Sequence, residues 1–158
     1  MTHRIRVVKP EIRILGLDTC QHSERVMGVV VRGGKYLDGL LNLPLGKRLG
    51  MEIISSKFYP ELRLIMTHDP SDQINSRILS DQSNLPLVEV QKRIPAKKKV
   101  SSYTRFGRDR RSIYARSDLP SDQLRQLIDL SWTFGDMPEP VRVAHLLVKS
   151  ISSRRLER

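Results

Sequence analysis

Acidic side chains follow two apolar segments of this 158-residue chain, where a sheet would present them at one edge. The segment EIRILGL (11–17) alternates and is rich in branched residues, which is typical of a strand, and Asp18 follows it. The segment ELRLIMT (61–67) predicts the fourth strand, followed by His68 and Asp69. Carboxylates that converge on Mg²⁺ let the metal activate water for phosphodiester cleavage.

These residues also have structural interpretations. Asp18 can be a turn residue, and Asp69 can start the next helix. The dipeptide that begins with Asp38 favours a β-bulge or a turn over a metal ligand. We expect the first and fourth strands to be neighbours in the sheet, so either His68 or Asp69 can approach Asp18, and the sequence leaves both open.

A second group of candidates lies in the segment DMPEPVRVAHLLVKSI (136–151). Its apolar residues repeat at helical spacing, and Arg142, His145 and Lys149 fall at the edge of that apolar face. One interpretation is a surface helix with a half-buried histidine. The other is that Arg142 and Lys149 contact phosphate while His145 approaches a metal or the scissile group.

Most of the net positive charge lies in one segment, residues 92–116. It holds ten Lys or Arg and one acid, a local net charge of +9 beside a net charge of +11 for the whole chain. Such a surface predicts nucleic acid as the partner, with aromatic side chains stacking on bases. The alternative is a solvated loop whose aromatics fold back onto the body. The cations expected to contact nucleic acid are Lys97, Lys98, Lys99, Arg105, Arg108, Arg110 and Arg111.

The predicted elements follow the order β-β-β-α-β-α-β-loop-α-α. Three antiparallel strands, followed by two strands reached through helices, predict a mixed five-stranded sheet covered by helices on both faces. A ribonuclease H-like α/β architecture has this order. We therefore expect a single domain over residues 1–158, with a basic insertion at 92–116.

Composition limits where the chain acts. The lone cysteine, Cys20, excludes an internal disulfide, which fits a reducing cytoplasm. The longest apolar run, VMGVVV (26–31), is far too short for a membrane span, and the first residues have no apolar signal segment. We expect a cytoplasmic protein that does not enter a membrane.

The stretch PEPVRVAH (138–145) resembles the C-terminal signature of the archaeal endonuclease-dU family, which is similar in fold to endonuclease V. Three further segments resemble that family in order and spacing: ILGLD (14–18), GVVVRGGKYLDGLL (28–41) and LPLVEVQKRIP (85–95). The resemblance implies Mg²⁺- or Mn²⁺-dependent cleavage of nucleic acid near a deaminated base, in DNA or RNA that is single-stranded or damaged.

By this resemblance, Asp18 is the first metal ligand, His145 is the late active-site residue, and Glu139 and Arg142 shape the same corner. Asp69 is the expected second ligand. The chain departs from the family after the third strand, where the acidic segment is replaced by LNLPLGKRLGMEII (41–54). The alternative function is therefore a nucleic-acid binder that keeps the fold and has lost the metal site.

Overall fold

The computed structural model describes residues 5–19 and 24–156, with side chains up to Ile151 in the last helix. Cys20 lies outside the described residues. The strands are β1 (Arg13–Thr19), β2 (Arg25–Arg32), β3 (Tyr36–Pro44), β4 (Leu64–His68), β5 (Leu87–Gln91), β6 (Thr104–Arg108) and β7 (Arg111–Ser117). The α-helices are α1 (Leu49–Ile54), α2 (Ser76–Ser83), α3 (Ser121–Ser131) and α4 (Glu139–Leu156).

The strands form one mixed sheet in the order β3-β2-β1-β4-β5-β7-β6. β1 pairs antiparallel with β2 and parallel with β4, and β5 continues the parallel part. The predicted mixed sheet, and the predicted contact between the first and fourth strands, are confirmed. The predicted number of strands is wrong, because the sheet has seven rather than five.

The two additional strands come from the basic segment 92–116. β6 and β7 form a hairpin that pairs antiparallel with β5 and extends the sheet. Only Phe106, Ile113 and Ala115 are buried along this hairpin, so its hydrophobic signal is weak in the sequence. The many arginines occupy exposed positions of a regular ribbon, because alternate strand residues point away from the core.

Helices cover both faces of the sheet. On one face, α3 and α4 pack through residues such as Ile128 and Val141 against Ile14 and Met66. On the other face, α1 and α2 cover a second cluster, which includes Leu17. Adjacent residues of a strand point to opposite faces of the sheet. At the end of a central strand, one side chain therefore faces α4 and the next one faces α1 and α2.

Some element boundaries differ from the prediction. β1 continues to Thr19, so Asp18 lies within the strand rather than just after it. α2 begins at Ser76 instead of near residue 71, and its N-cap is Asn75, whose Oδ1 accepts a hydrogen bond from the Ile78 amide. Among the described residues, no helix is long and apolar enough to cross a membrane.

Candidate metal centre and nucleic-acid surface

Asp18, His68 and His145 meet at the carboxyl end of β1 and β4. Asp18 Oδ2 lies 3.1 Å from His68 Nδ1 and 2.7 Å from His145 Nδ1. The two imidazole rings meet edge to face, with their centroids 5.1 Å apart. Asp18 is 1% exposed and His68 is 5% exposed, whereas the His145 side chain keeps 23% of its surface. The cluster is therefore buried on the strand side and open on the helix side.

Strand pairing places the first two members of this cluster together. Asp18 and His68 are direct partners in the parallel pairing of β1 with β4, so their side chains leave the sheet on the same side. That side faces α4, which presents His145. The sequence left His68 and Asp69 as alternatives for this position, and the structure brings His68 to Asp18.

Asp69 faces the other side of the sheet. Its Oδ1 accepts a hydrogen bond from the Thr19 hydroxyl at 3.0 Å, and its Oδ2 accepts one from the Ile74 amide at 2.6 Å. One carboxylate oxygen therefore holds the turn between β4 and α2, and the other joins the end of β4 to the end of β1. The structure does not bring this predicted second ligand to Asp18.

Glu139 and Arg142 form a pair in the first turns of α4. The Arg142 guanidinium donates to both carboxylate oxygens of Glu139, at 2.8 and 2.7 Å. This pairing raises the pKa of Arg142 above its ordinary value. Arg142 lies one turn before His145, so it is near the metal cluster but bound to Glu139. Lys149 lies one turn after His145 on the exposed side of α4.

Asp38 lies at the opposite end of the sheet from Asp18. The pairing of β2 with β3 shifts register between Val30 and Val31, and Asp38 is the extra residue of that bulge. Its carboxylate accepts a hydrogen bond from Arg13 at 3.0 Å and pairs with Arg32. Of the β-bulge and the turn that the sequence left open at this position, the structure has the β-bulge.

Phe134 is an exposed aromatic residue that the sequence did not indicate as functional. Its side chain is 60% exposed, and the Arg142 guanidinium lies 4.3 Å from the centre of its ring. The only signal was its place in the break TFGDM (133–137) between two helices, since exposed aromatic residues in loops are candidates for ligand contact.

The donor atoms of Asp18, His68 and His145 all lie within 4.8 Å of one another, which is compatible with one shared metal ion. The donor types fit Mg²⁺ poorly, because that ion prefers oxygen ligands in octahedral geometry. Two imidazoles and one carboxylate suit a transition metal better. With three protein ligands, such a site would leave coordination positions open for water or a substrate oxygen.

The basic hairpin and the metal cluster open toward the same edge of the sheet. β5 runs parallel to β1 and β4, and its last residue, Gln91, pairs with Tyr114 of β7. The β6–β7 turn therefore extends beyond the carboxyl end of β5. Arg108, Arg110 and Arg111 are exposed at this turn.

The loop that joins β5 to β6 leaves from the same edge. Lys97 and Lys99 are exposed there, while Lys98 pairs with Asp72 at 3.0 Å. Lys92 forms an ion pair with Asp136, which lowers the pKa of that carboxyl group. These pairs fix the loop beside the turn that follows β4 and the segment that precedes α4.

The aromatic residues of the basic segment mostly fold onto the protein. Tyr103 is 9% exposed and carries the Arg116 guanidinium over its ring, and Phe106 is 7% exposed within the α3 and α4 core. Burial of the phenol also raises the pKa of Tyr103. Of the two interpretations of these aromatics, the structure favours packing onto the body over base stacking.

The known proteins to which we find the chain similar in sequence include several from archaea. It is 29% identical to the UPF0215 protein of Methanopyrus kandleri, over 94% of this chain and 95% of that protein. It is 28% identical to a UPF0215 protein of Methanosarcina barkeri, over 91% and 92% of the two chains. The alignment with the Methanopyrus kandleri protein spans 188 positions, whereas this chain has 158 residues. The Methanopyrus protein therefore carries insertions that this chain lacks. No protein-family model matches the chain.

Two solved structures share the fold. A crystal structure of a protein of unknown function from Archaeoglobus fulgidus has a TM-score of 0.69 at 22% identity, covering 89% of this chain and 98% of that one. The Argonaute of Marinitoga piezophila, solved in complex with a guide RNA, has a TM-score of 0.58 at 14% identity, covering 89% of this chain and 30% of the Argonaute. The chain thus has a ribonuclease H-like fold, and the relatives that it matches in sequence are named UPF0215 proteins and come from archaea.

Proposed function

We propose that this protein is a metal-dependent endonuclease-like enzyme that acts on nucleic acid. The observation that carries this proposal is the contact of one buried carboxylate, Asp18, with two imidazoles at the carboxyl edge of a ribonuclease H-like sheet. Ligands in open α/β sheets bind at this edge. A divalent cation held there would supply the positive charge that activates water and stabilises the phosphate during cleavage.

The basic surface supports nucleic acid as the substrate. Strand pairing puts Ala115 of β7 level with Asp18, and Arg111 lies four residues, about 13 Å, further along β7. Across the sheet, β7 lies three strand spacings, about 14 Å, from β1. The hairpin tip is then about 20 Å from the metal cluster, which corresponds to about six base-pair steps of duplex. One nucleic acid can therefore contact both. The Argonaute with this fold was solved with a guide RNA, which agrees with this partner.

The chain's own residues have distinct roles in this proposal. Asp18 and His68 are fixed by strand pairing and would hold the metal from the buried side. His145 is more exposed, so it lies closest to an incoming phosphate. Phe134 offers an exposed ring for an unpaired base, and Arg142 holds that ring in place.

The preference for a deaminated base rests on the resemblance to the endonuclease-dU and endonuclease V families. The segment that carries it, residues 138–145, forms the start of α4 and includes His145. We propose this lesion as the substrate feature, in single-stranded or damaged DNA or RNA.

A second candidate function is nucleic-acid binding without cleavage. It is favoured by the number of acids at the site, because among the described residues only Asp18 contributes a carboxylate to the cluster. Asp69 and Glu139 are bound to other protein groups. The basic surface is independent of this cluster, so binding would persist without a working metal centre.

One experiment separates the two functions. Labelled single-stranded DNA and RNA with deoxyuridine, deoxyinosine or inosine, and undamaged controls, are incubated with Mg²⁺, Mn²⁺ or Zn²⁺. The proteins are the wild type, Asp18→Asn, and Asp129→Asn as a matched change at an exposed position of α3. The proposal predicts metal-dependent cutting at or near the lesion, lost with Asp18→Asn and kept with Asp129→Asn.

The other outcomes are equally specific. Salt-sensitive binding without cutting under every metal would establish the binding function instead. Cutting of undamaged and damaged strands at equal rates would keep the nuclease and remove the lesion preference. Cutting that survives in Asp18→Asn would show that this cluster is not the active site.

A further inference from the structure

We infer that Asp18, His68 and His145 form a mononuclear site for an imidazole-preferring transition-metal ion, with Zn²⁺ as the representative, rather than for Mg²⁺. The role of the metal in cleavage rests on the proposed function. The binding of the metal to the protein is measured without nucleic acid.

The donor set is the first argument. Among the described residues, the cluster offers one carboxylate and two imidazoles. Imidazole nitrogen suits zinc, copper, nickel and iron, whereas magnesium dehydrates reluctantly and is held by carboxylates. The acids nearest in sequence cannot complete an oxygen-rich site without giving up existing contacts, because Asp69 holds the Ile74 amide and Glu139 holds Arg142.

The spacing of the donors is the second argument. Ligands about 2.1 Å from one metal lie about 3.0 Å apart at right angles and about 3.4 Å apart in a tetrahedron. Asp18 Oδ2 lies 3.1 Å from His68 Nδ1 and 2.7 Å from His145 Nδ1. Asp18 Oδ2 is therefore close enough to each imidazole nitrogen to share one metal with it, and because all three donor atoms lie within 4.8 Å of one another, rotation of the two imidazoles toward a common ion would complete the site.

The burial of Asp18 is the third argument. Its side chain is 1% exposed, and the hydrogen bonds and ion pairs found for it in the described part of the chain involve only the two imidazoles. A buried carboxylate needs a positive or hydrogen-bonding partner. A cation between the three donors would meet this need and would leave the exposed side of His145 facing solvent and substrate.

The rigidity of the ligands is the fourth argument. Asp18 and His68 are partners in a central parallel strand pair. His145 is held by Val141, Ala144 and Val148, three buried residues on the sheet-facing side of α4. A site with ligands on three regular elements is preorganised, which favours selection among metals.

The test is metal binding by untagged protein that has been stripped with a chelator. Titration calorimetry with Zn²⁺, Mn²⁺ and Mg²⁺ is expected to show one Zn²⁺ per chain, bound roughly 100-fold or more tightly than Mg²⁺. Cobalt substituted at the site would give visible absorption bands that report nitrogen and oxygen ligands. Asp18→Asn and His145→Gln should each weaken Zn²⁺ binding by about tenfold or more.

Two control variants test whether zinc binds elsewhere on the chain. Asp129→Asn should leave Zn²⁺ affinity unchanged, because it makes the same chemical change on the surface of α3. Cys20→Ser should also keep one Zn²⁺ per chain. Zinc binding that is lost with Cys20→Ser, and kept with Asp18→Asn, would overturn the assignment. Far-UV circular dichroism of each metal-free variant checks that it is folded.

A reversal of selectivity separates a ligand role from a structural one. His68→Asp replaces a nitrogen donor by an oxygen donor, so it should lower the preference for Zn²⁺ over Mg²⁺ and Mn²⁺. An unchanged preference, or wild-type binding of Mg²⁺ as tight as that of Zn²⁺, would refute the inference. Zinc binding without any cleavage would leave this site standing and end the nuclease proposal, whereas Mg²⁺-dependent cleavage without zinc binding would do the reverse.

Discussion

The carbonyl oxygen of Pro140 lies 2.1 Å from the point where a β-carbon on Gly16 would be. The start of α4 and the middle of β1 are therefore in direct backbone contact. From this contact, Asp18 is two residues along the strand, about 7 Å, and His145 is five residues along the helix, about 7.5 Å. Because these two distances are nearly equal, the side chains of Asp18 and His145 lie at the same level along the sheet.

Gly16→Ala should therefore separate α4 from β1. The added methyl group meets backbone atoms of Pro140 that cannot move aside alone, so the helix must shift. We expect a loss of about 1 to 3 kcal/mol in the free energy of unfolding, by denaturant titration, with weaker Zn²⁺ binding. Gly107→Ala is the matched control, since the nearest atom to its β-carbon is 3.8 Å away. Equal effects of the two changes would contradict this role for Gly16.

The sequence predicted the parts of the site that depend on periodicity. Hydrophobic alternation indicated β1 and β4, and helical spacing placed His145 at the edge of the apolar face of α4. The alternation of strand side chains also shows why His68 and Asp69 were alternatives. Strand neighbours face opposite sides, so only one of the two can share a side with Asp18, and the register decides which.

Other features depend on contacts that no local pattern records. The hairpin of β6 and β7 has three buried residues among its twelve, too few for a clear strand signal. The hydrogen bond from Thr19 to Asp69 joins residues that are 50 positions apart in the sequence. The burial of Tyr103 and Phe106 likewise depends on Arg116 and on the α3 and α4 core. These interactions appear only when the sheet is assembled.

Asp69→Asn tests whether Asp69 serves the fold or the metal. An asparagine can keep the Ile74 amide on its Oδ1 and donate its NH₂ group to the Thr19 hydroxyl, so two charge-assisted hydrogen bonds become neutral ones. We expect the free energy of unfolding to fall by about 0.5 to 1.5 kcal/mol, while Zn²⁺ affinity stays at the wild-type value. Asp81→Asn, at an exposed position of α2, should change neither. A loss of zinc binding as large as that of Asp18→Asn would instead make Asp69 a ligand.

The lysines at 97–99 should contribute unequally to nucleic-acid binding. Lys97 and Lys99 are exposed, whereas Lys98 is already paired with Asp72. In a plot of log affinity against log salt, Lys97→Gln combined with Lys99→Gln should reduce the slope by about 1.5 to 2 units. Lys98→Gln alone should reduce the slope by less than half of the reduction found for the double variant. A larger effect at Lys98 would mean that nucleic acid displaces Asp72.

Arg110 should show a conflict between stability and binding. Asp109 and Arg110 form the two-residue turn of the hairpin and have φ angles of 48° and 66°. Positive φ at both central residues is the conformation in which hairpins prefer Asn-Gly or Asp-Gly. A left-handed arginine is strained, so Arg110→Gly should raise the free energy of unfolding by about 0.5 to 1 kcal/mol.

The same change should weaken nucleic-acid binding and reduce the salt slope by about 1 unit, since it removes an exposed cation at the hairpin tip. Arg110→Lys is the control that keeps both the charge and the strained backbone, so it should preserve the slope and gain no stability. The two effects are read from denaturant unfolding and from binding at several salt concentrations. If Arg110→Gly stabilises the protein and binds as tightly as the wild type, the tip lies outside the interface, and the nucleic acid must cross the sheet edge nearer to His145.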